Sequence, residues 1–362
     1  MNWTKGKRAG KIILAGGCCG LLLLMPEKAA EGVREGIRLS LETVIPALFP
    51  FMVLSGMLIG GRGKGVERLL ALPGQTAGAV LLGLIGGYPA GTMAAAGLVR
   101  EGRISKEAGG RILCTGFLAS PAFCSGIGRY LFGSGRIGLA LWGCQLLAAI
   151  LTGVICGRIF PPCPEKISAR TSAPPAPFGD RFVGSVLGGI RGMAVVCGFT
   201  VLFSAIRSYL WMIPGGRYLL PFLEVSVGCI SAKGLPFWKA VATVTLCCSL
   251  GGVSVWMQNA AFLRGSGIGM REFFLSRCIH LPLSLLITFG AEKCFHLSSW
   301  VSVSAFAAGI RVRPSEGNAA ASVFLLAACT ILLIGEQRLC YNKAAKQVSR
   351  TLPSIASQNS IR

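Results

Sequence analysis

The chain has 362 residues, of which 52% are hydrophobic and only 14% charged, against about 25% charged in ordinary soluble domains. Apolar runs near the ~20 residues that cross a hydrocarbon core recur along its length, which excludes a soluble domain of useful size and predicts an all-α polytopic membrane protein. The formal charge of +22, from 36 Lys and Arg against 14 Asp and Glu, is read as basic residues gathered in cytoplasmic loops, not as a nucleic-acid surface.

Lys5, Lys7, Arg8 and Lys11 precede the first apolar run, 12–25, and place the N-terminus in the cytoplasm. The run is read as an uncleaved membrane helix, although a basic start and Ala29-Ala30 also fit a cleaved signal peptide. Residues 27–38 carry Glu27, Lys28, Glu31, Arg34, Glu35 and Arg38 in a stripe that suits an interfacial helix. The next span, 41–59, contains Pro46 and Phe49-Pro50-Phe51, which predict a kink. The run 76–99 has Gly86, Gly87, Pro89 and Gly91 at its centre, so the expectation is a re-entrant or broken helix. A turn at 100–111, charged in both signs and read as a solvated loop, separates it from 112–132. That run is interrupted by Ser120-Pro121 and by Ser125-Gly126, and 137–160 reads as a full span.

The proline-rich stretch 161–181 has no apolar face to bury and reads as a linker between two halves. Beyond it come 182–213 with an internal Arg191, then 218–232, and the run 235–263 interrupted at Gly251-Gly252. Later spans are 273–290 and 318–335, while 300–310 is short and ambiguous. The tail holds Arg338, Lys343, Lys346, Arg350 and Arg362, which place the C-terminus in the cytoplasm too. The organisation expected is an N-terminal membrane helix and interfacial helix over 1–40, a first repeat over 41–160, the linker, a second repeat over 182–335, and a basic tail over 336–362. Laying Gly251 on Gly86, an offset of 165, brings Gly252 onto Gly87, Ala260-Ala261 onto Ala95-Ala96, and Arg271-Glu272 onto Lys106-Glu107. That shared order of interrupted run, charged turn and apolar run favours an internal repeat, parallel or inverted according to the span count.

Of the fifteen cysteines, Cys18, Cys19, Cys144, Cys156, Cys197, Cys247, Cys248 and Cys329 lie inside apolar runs, where cysteine behaves as a small hydrophobe. No Cys-x-x-Cys pair occurs, and His280 and His296 are too few for a Cys/His zinc pattern. Free thiols, no metal and no cofactor are expected. With no Ser/His/Asp set either, an enzyme is not.

Breaking a helix at Gly86-Gly87 and Pro89 frees backbone N–H groups at the start of the next half-helix, where the macrodipole adds about half a positive charge. Such ends attract anions. A second half-helix starting near Gly251-Gly252 supplies a matching cluster, and two clusters suit a solute with two carboxylates. Tyr88, Thr92, Ser120, Ser254, Gln258 and Asn259 add side-chain hydrogen bonds, and Trp256 or Tyr88 offers a face for a planar ring. Glycine pairs also let helices pack closely, and Ser254, Gln258 and Asn259 equally serve as interhelical glue. Arg191 and Arg277 either meet the solute at depth or lie near a surface. Glu42 and Glu224 are the acidic residues beside apolar runs that a coupling proton would use.

The segments 45–51 (Ile-Pro-Ala-Leu-Phe-Pro-Phe), Gly86-Gly-Tyr-Pro-Ala-Gly91, 102–107 (Gly-Arg-Ile-Ser-Lys-Glu), 250–258 (Leu-Gly-Gly-Val-Ser-Val-Trp-Met-Gln) and 275–280 (Leu-Ser-Arg-Cys-Ile-His) together resemble the membrane proteins with paired Gate, or nucleoside-recognition, domains, and in particular the sporulation integral membrane proteins of YlbJ type. The resemblance runs from about residue 30 to 340. It implies an all-helical transporter-like protein with two Gate-like repeats in the membranes of a sporulating cell, carrying a small anionic solute, dipicolinate first. A nucleoside carrier and a non-transporting scaffold of a sporulation complex are the alternatives. Its implied partners are the solute, the lipid bilayer, and either a second copy or other sporulation membrane proteins. Two departures stand out: Trp256 replaces the family's histidine, and Phe117, Leu118 and Ala119 replace amides before Pro121, making the pocket more aromatic.

Overall fold

In lipid a backbone must satisfy its own N–H and C=O groups, so a chain this apolar folds as helices. In the computed structural model every regular element among the described residues, 23–58, 63–163 and 177–301 with Gly16 and Gly20, is helical. Five are long and apolar enough to cross a membrane: Pro26–Leu54, Gly135–Ile159, Phe178–Leu210, Phe237–Leu263 and Arg271–Phe295. Most of the expected first helix, most of the linker, the run 318–335 and the basic tail lie outside the described residues, all of which belong to the unit Met1–Ala307.

Helix α1 (Pro26–Leu39) starts on a proline, which needs no N–H there, with Glu27 in its first turn and Arg38 in its last, as the macrodipole favours. It does not stop as a separate interfacial helix. It passes through a π-helical turn, Ser40–Val44, straight into α2 (Ile45–Leu58). Packing is the reason, because a Cβ on Gly32 would stand 2.7 Å from Ala205 Cα and one on Gly36 2.7 Å from Val201 Cα. The two glycines, four apart, thus lay α1 directly on α9 (Phe178–Leu210). Arg207 pairs with Glu35, and Ser208 and Tyr209 donate to the carbonyls of Lys28 and Met25.

The short α3 (Lys64–Leu69) carries Glu67, whose carboxylate accepts from the N–H groups of Thr76 and Ala77 at 3.1 and 3.4 Å and so caps α4 (Ala77–Gly86). After Gly87 the chain enters α5 (Tyr88–Arg100) and folds back on α4. A Cβ on Gly91 would lie 2.6 Å from Gly83 Cα and 2.7 Å from the Gly116 carbonyl oxygen, so this hairpin closes only through glycines. Helix α6 (Lys106–Thr115) begins at Ser105, whose hydroxyl accepts from Ala108 N–H. The loop 116–120, α7 (Pro121–Phe132) and α8 (Gly135–Ile159) follow, and Ser125-Gly126 stays helical within α7.

The stretch 100–111 departs from its expected solvated loop, since only 101–105 is a turn. Arg111, in α6, is 2% exposed; its guanidinium lies over the Phe160 ring and donates to the Pro161 carbonyl at 2.9 Å. The run 218–232 departs as well. It breaks into a 3-10 turn, Gly216–Leu219, and two short helices, α10 (Leu220–Leu223) and α11 (Val225–Ile230). Between these two, Glu224 is extended at φ −150°, ψ 134° and its carboxylate caps Val227 N–H at 2.8 Å.

Helices α12 (Phe237–Leu250), α13 (Gly252–Leu263) and α14 (Arg271–Phe295) complete the described chain. Helix α13 packs beside α5, and α14 packs against α6, α8 and α12. One core takes in Leu84, Tyr88, Phe117, Val244 and Phe273; a smaller one, Met52, Met193, Val196 and Phe262, joins α2, α9 and α13.

Candidate functional site

Both glycine pairs break the helix they sit in, by different backbone conformations. Gly87 lies at φ +93°, ψ 177°, a region that is in practice glycine's alone. Pro89, in the first turn of α5, cannot donate back to α4. Gly251 is left-handed at φ +77°, ψ −17°, and Gly252 follows at φ +76°. Among the described residues no side chain caps the first N–H groups of α5 or α13, so both present positive ends.

The two half-helices run side by side in the same direction, tied along their length. Tyr88 Oη donates to the Cys248 carbonyl at 2.7 Å, Thr92 Oγ1 to Asn259 Oδ1 at 2.5 Å, and at the far end Arg100 donates to the carbonyls of Phe262 and Arg264 at 2.6 and 2.8 Å. Breaking α12 leaves its last carbonyls without helical partners. Tyr88 satisfies one, and Trp256 Nε1 satisfies another by donating to Leu250 at 2.5 Å. Both aromatic rings are already engaged, Tyr88 against Phe117 at 4.5 Å between centroids and Trp256 edge-on to Phe274 at 5.2 Å.

The loop 116–120 brings in what the glycine pairs alone do not supply. Phe117 is 1% exposed and stands between the starts of α5 and α13: its ring touches Tyr88, and a Cβ on Gly251 would come within 2.8 Å of it. On its other side lies the Arg277 guanidinium, 5.1 Å from the Phe117 centroid and 5.4 Å from that of Phe273. Arg277 is buried and donates to the carbonyls of Cys114 at 2.8 Å and Phe117 at 3.3 Å, at the negative end of α6. Among the described residues no carboxylate pairs with it. A buried charge normally finds a counterion; here two helix starts add further positive potential.

Every residue expected at the site is buried except Trp256, which is half-buried. Gly87 meets Ser120, whose Cβ lies 3.4 Å from where a Gly87 Cβ would be; Tyr88 meets the end of α12; Thr92 meets Asn259. Gly86 faces Phe51 and Ala90, the Ser120 hydroxyl caps Phe123 N–H, and Gln258 donates to Ser254 at 3.3 Å along α13. Of the two arginines left open by the sequence, Arg191 is exposed and Arg277 is buried over the Phe117 ring. Glu42 is exposed near Arg38, whereas Glu292 is buried on α14 and the half-buried Glu272 stands 4.0 Å from Arg111. A cavity of about 290 Å³ is lined by Arg207, Trp211, Val227, Ile230, Ser231 and Lys233, none of them residues of the two breaks.

The chain is similar to the sporulation integral membrane protein YlbJ of Bacillus subtilis, with 24% identity over 306 aligned residues that cover 70% of this chain and 75% of that protein. No family model and no solved structure matches it.

Proposed function

We propose, from the premise that the chain belongs to the sporulation integral membrane proteins of YlbJ type, that its membrane role in sporulation is to carry a small anionic solute, dipicolinate first, across the bilayer. The observation that carries this reading is Arg277: a buried cation without a carboxylate partner among the described residues, behind a ring that touches the starts of two uncapped half-helices. A planar dicarboxylate answers each element, with one carboxylate for the helix starts, one for the guanidinium, and a ring to lie against Phe117. The present arrangement is closed, with Phe117 holding the place of the solute and the polar groups bonded to one another. That closure is also what a non-transporting scaffold would show.

The test is uptake of labelled dipicolinate into proteoliposomes holding only the full chain, with nucleosides alongside. Dipicolinate uptake is expected, and Arg277→Gln should lower it about 10- to 100-fold, as loss of a charged hydrogen bond of roughly 1.5–3 kcal/mol requires. Nucleoside uptake in its place reassigns the cargo, and a flat trace for every solute favours the scaffold.

A further inference from the structure

Helix α14 has an inward face that a purely structural membrane helix would fill with apolar side chains. Instead Arg277, His280, Ser284, Thr288 and Glu292 follow one another along it, all buried, while Leu275, Leu286 and Phe289 cover the opposite face. At 1.5 Å per residue the stripe extends about 22 Å, most of a hydrocarbon core of about 30 Å. Intramembrane polar residues in such a line mark ion and proton routes by default.

His280 is the titratable group of this stripe nearest the candidate site, one turn from Arg277, and it is 0% exposed. Its Nε2 lies 3.4 Å from the Gln145 carbonyl, which can only accept, so Nε2 carries the hydrogen and Nδ1 holds a lone pair. Among the described residues that Nδ1 has no partner, and neither does the buried Thr245 hydroxyl beside the same glutamine, whose amide donates to the Thr245 carbonyl at 3.1 Å. The hydroxyls continue outward: Ser249 donates to Gln145 Oε1 at 3.1 Å and meets Ser284 Oγ at 2.7 Å, and Thr288 donates to the Ser284 carbonyl at 2.7 Å. Packed against α14, α8 brings Cys144 and Gln145, α12 brings Thr245 and Cys248, and α6 brings Cys114; the charge acting on the ring is Arg277.

We propose that His280 is the proton-carrying residue of a proton–dicarboxylate symport, taking one proton on Nδ1 for each dianion bound beside Arg277. The proposal rests on the transport reading above and follows from charge balance at depth. With the site empty, a protonated His280 would put two positive charges one turn apart in a low-dielectric interior, where they repel. A dianion beside Arg277 leaves a net charge of −1, and protonating His280 brings it to zero. Solute and proton therefore bind cooperatively, and by linkage each raises the affinity for the other. The Nδ1 lone pair takes the proton from water on the loading side and returns it to water on the releasing side, with no other bond made or broken.

In proteoliposomes with the full chain, and with the membrane potential clamped at zero because one proton and one dianion move a net charge of −1, an inward proton gradient should accumulate labelled dipicolinate about tenfold per pH unit, with matching alkalinisation outside. His280→Gln, which keeps a polar side chain but cannot carry the proton, should retain dipicolinate exchange across the bilayer while losing gradient-driven accumulation. Should that variant fail to fold, calorimetry on the wild-type protein decides: dipicolinate binding measured in two buffers of different ionisation enthalpy should show close to one proton taken up. Uptake that ignores the gradient, proton uptake near zero, or unchanged accumulation in His280→Gln overturns this inference and leaves the transport reading standing. Absence of dipicolinate binding and uptake by the wild type removes both.

Discussion

The two glycine pairs read alike in sequence and fold differently. At Gly87 the chain reverses, α5 lying back along α4 through the glycine contacts at Gly83, Gly91 and Gly116. At Gly251 it is interrupted inside one run, Phe237–Leu263, that remains long enough to cross a membrane. The first break is thus a hairpin tip and the second a dislocation within a span. What separates them is outside the pairs: a proline two residues after Gly87 and small residues four before and four after it, against Trp256, which caps the broken end of α12 with its indole N–H. A glycine pair permits a break, and the neighbours decide its geometry.

That contrast can be broken most sharply at the hairpin. Gly91→Leu forces a side chain into the Gly83 and Gly116 backbones and should cost about 3 kcal/mol, the upper end for overpacking, or abolish folding, read as loss of the cooperative melt in detergent. The same change at Gly269, where a Cβ meets nothing within 4 Å, is the control and should leave the melt in place. A smaller difference is expected between the breaks themselves. Gly87→Asn meets a backbone that is glycine's alone and should cost about 1–3 kcal/mol. Gly251→Asn keeps an αL-tolerant residue and should cost less, its burden being the contact with Phe117. Equal melting shifts for the two would remove the claim that their conformations differ. Smallest of all, Tyr88→Phe deletes the bond to the Cys248 carbonyl and should lower stability by about 0.6–1.7 kcal/mol, the range for polar contacts between membrane helices; an unchanged melt would show that this carbonyl is satisfied otherwise.

The breaks were legible because glycine and proline in an apolar run have few other uses. Their type was not, because Gly83 meets Gly91 only after the chain has folded back. The run 218–232 passes for a span on hydropathy, yet Pro221 interrupts the ladder and Glu224 begins a new helix by capping it. Residues 100–111 look like a solvated turn because their charges are mixed, but Phe160, the Pro161 carbonyl and Glu272, whose carboxylate stands 4.0 Å from Arg111, reach that arginine from distant positions and draw it inside. At the site, the polar residues of α5 and α13 could be named from their spacing beside the breaks. Phe117 was legible only through the resemblance, as one of three residues in place of amides before Pro121, since nothing local distinguishes it from a lipid-facing ring, and Arg277 stayed undecided until α14 turned it inward.

The ties of α5 have a mechanical outcome. Thr92 and Arg100 bind it to α13, whereas Tyr88 binds it to the end of α12, so sliding or splaying α5 past α13 severs the first two together, at roughly 0.6 kcal/mol or more apiece. Tilting the coupled rods as a unit keeps both and strains only the Tyr88 bond to α12. The pair behaves as a single stiff beam.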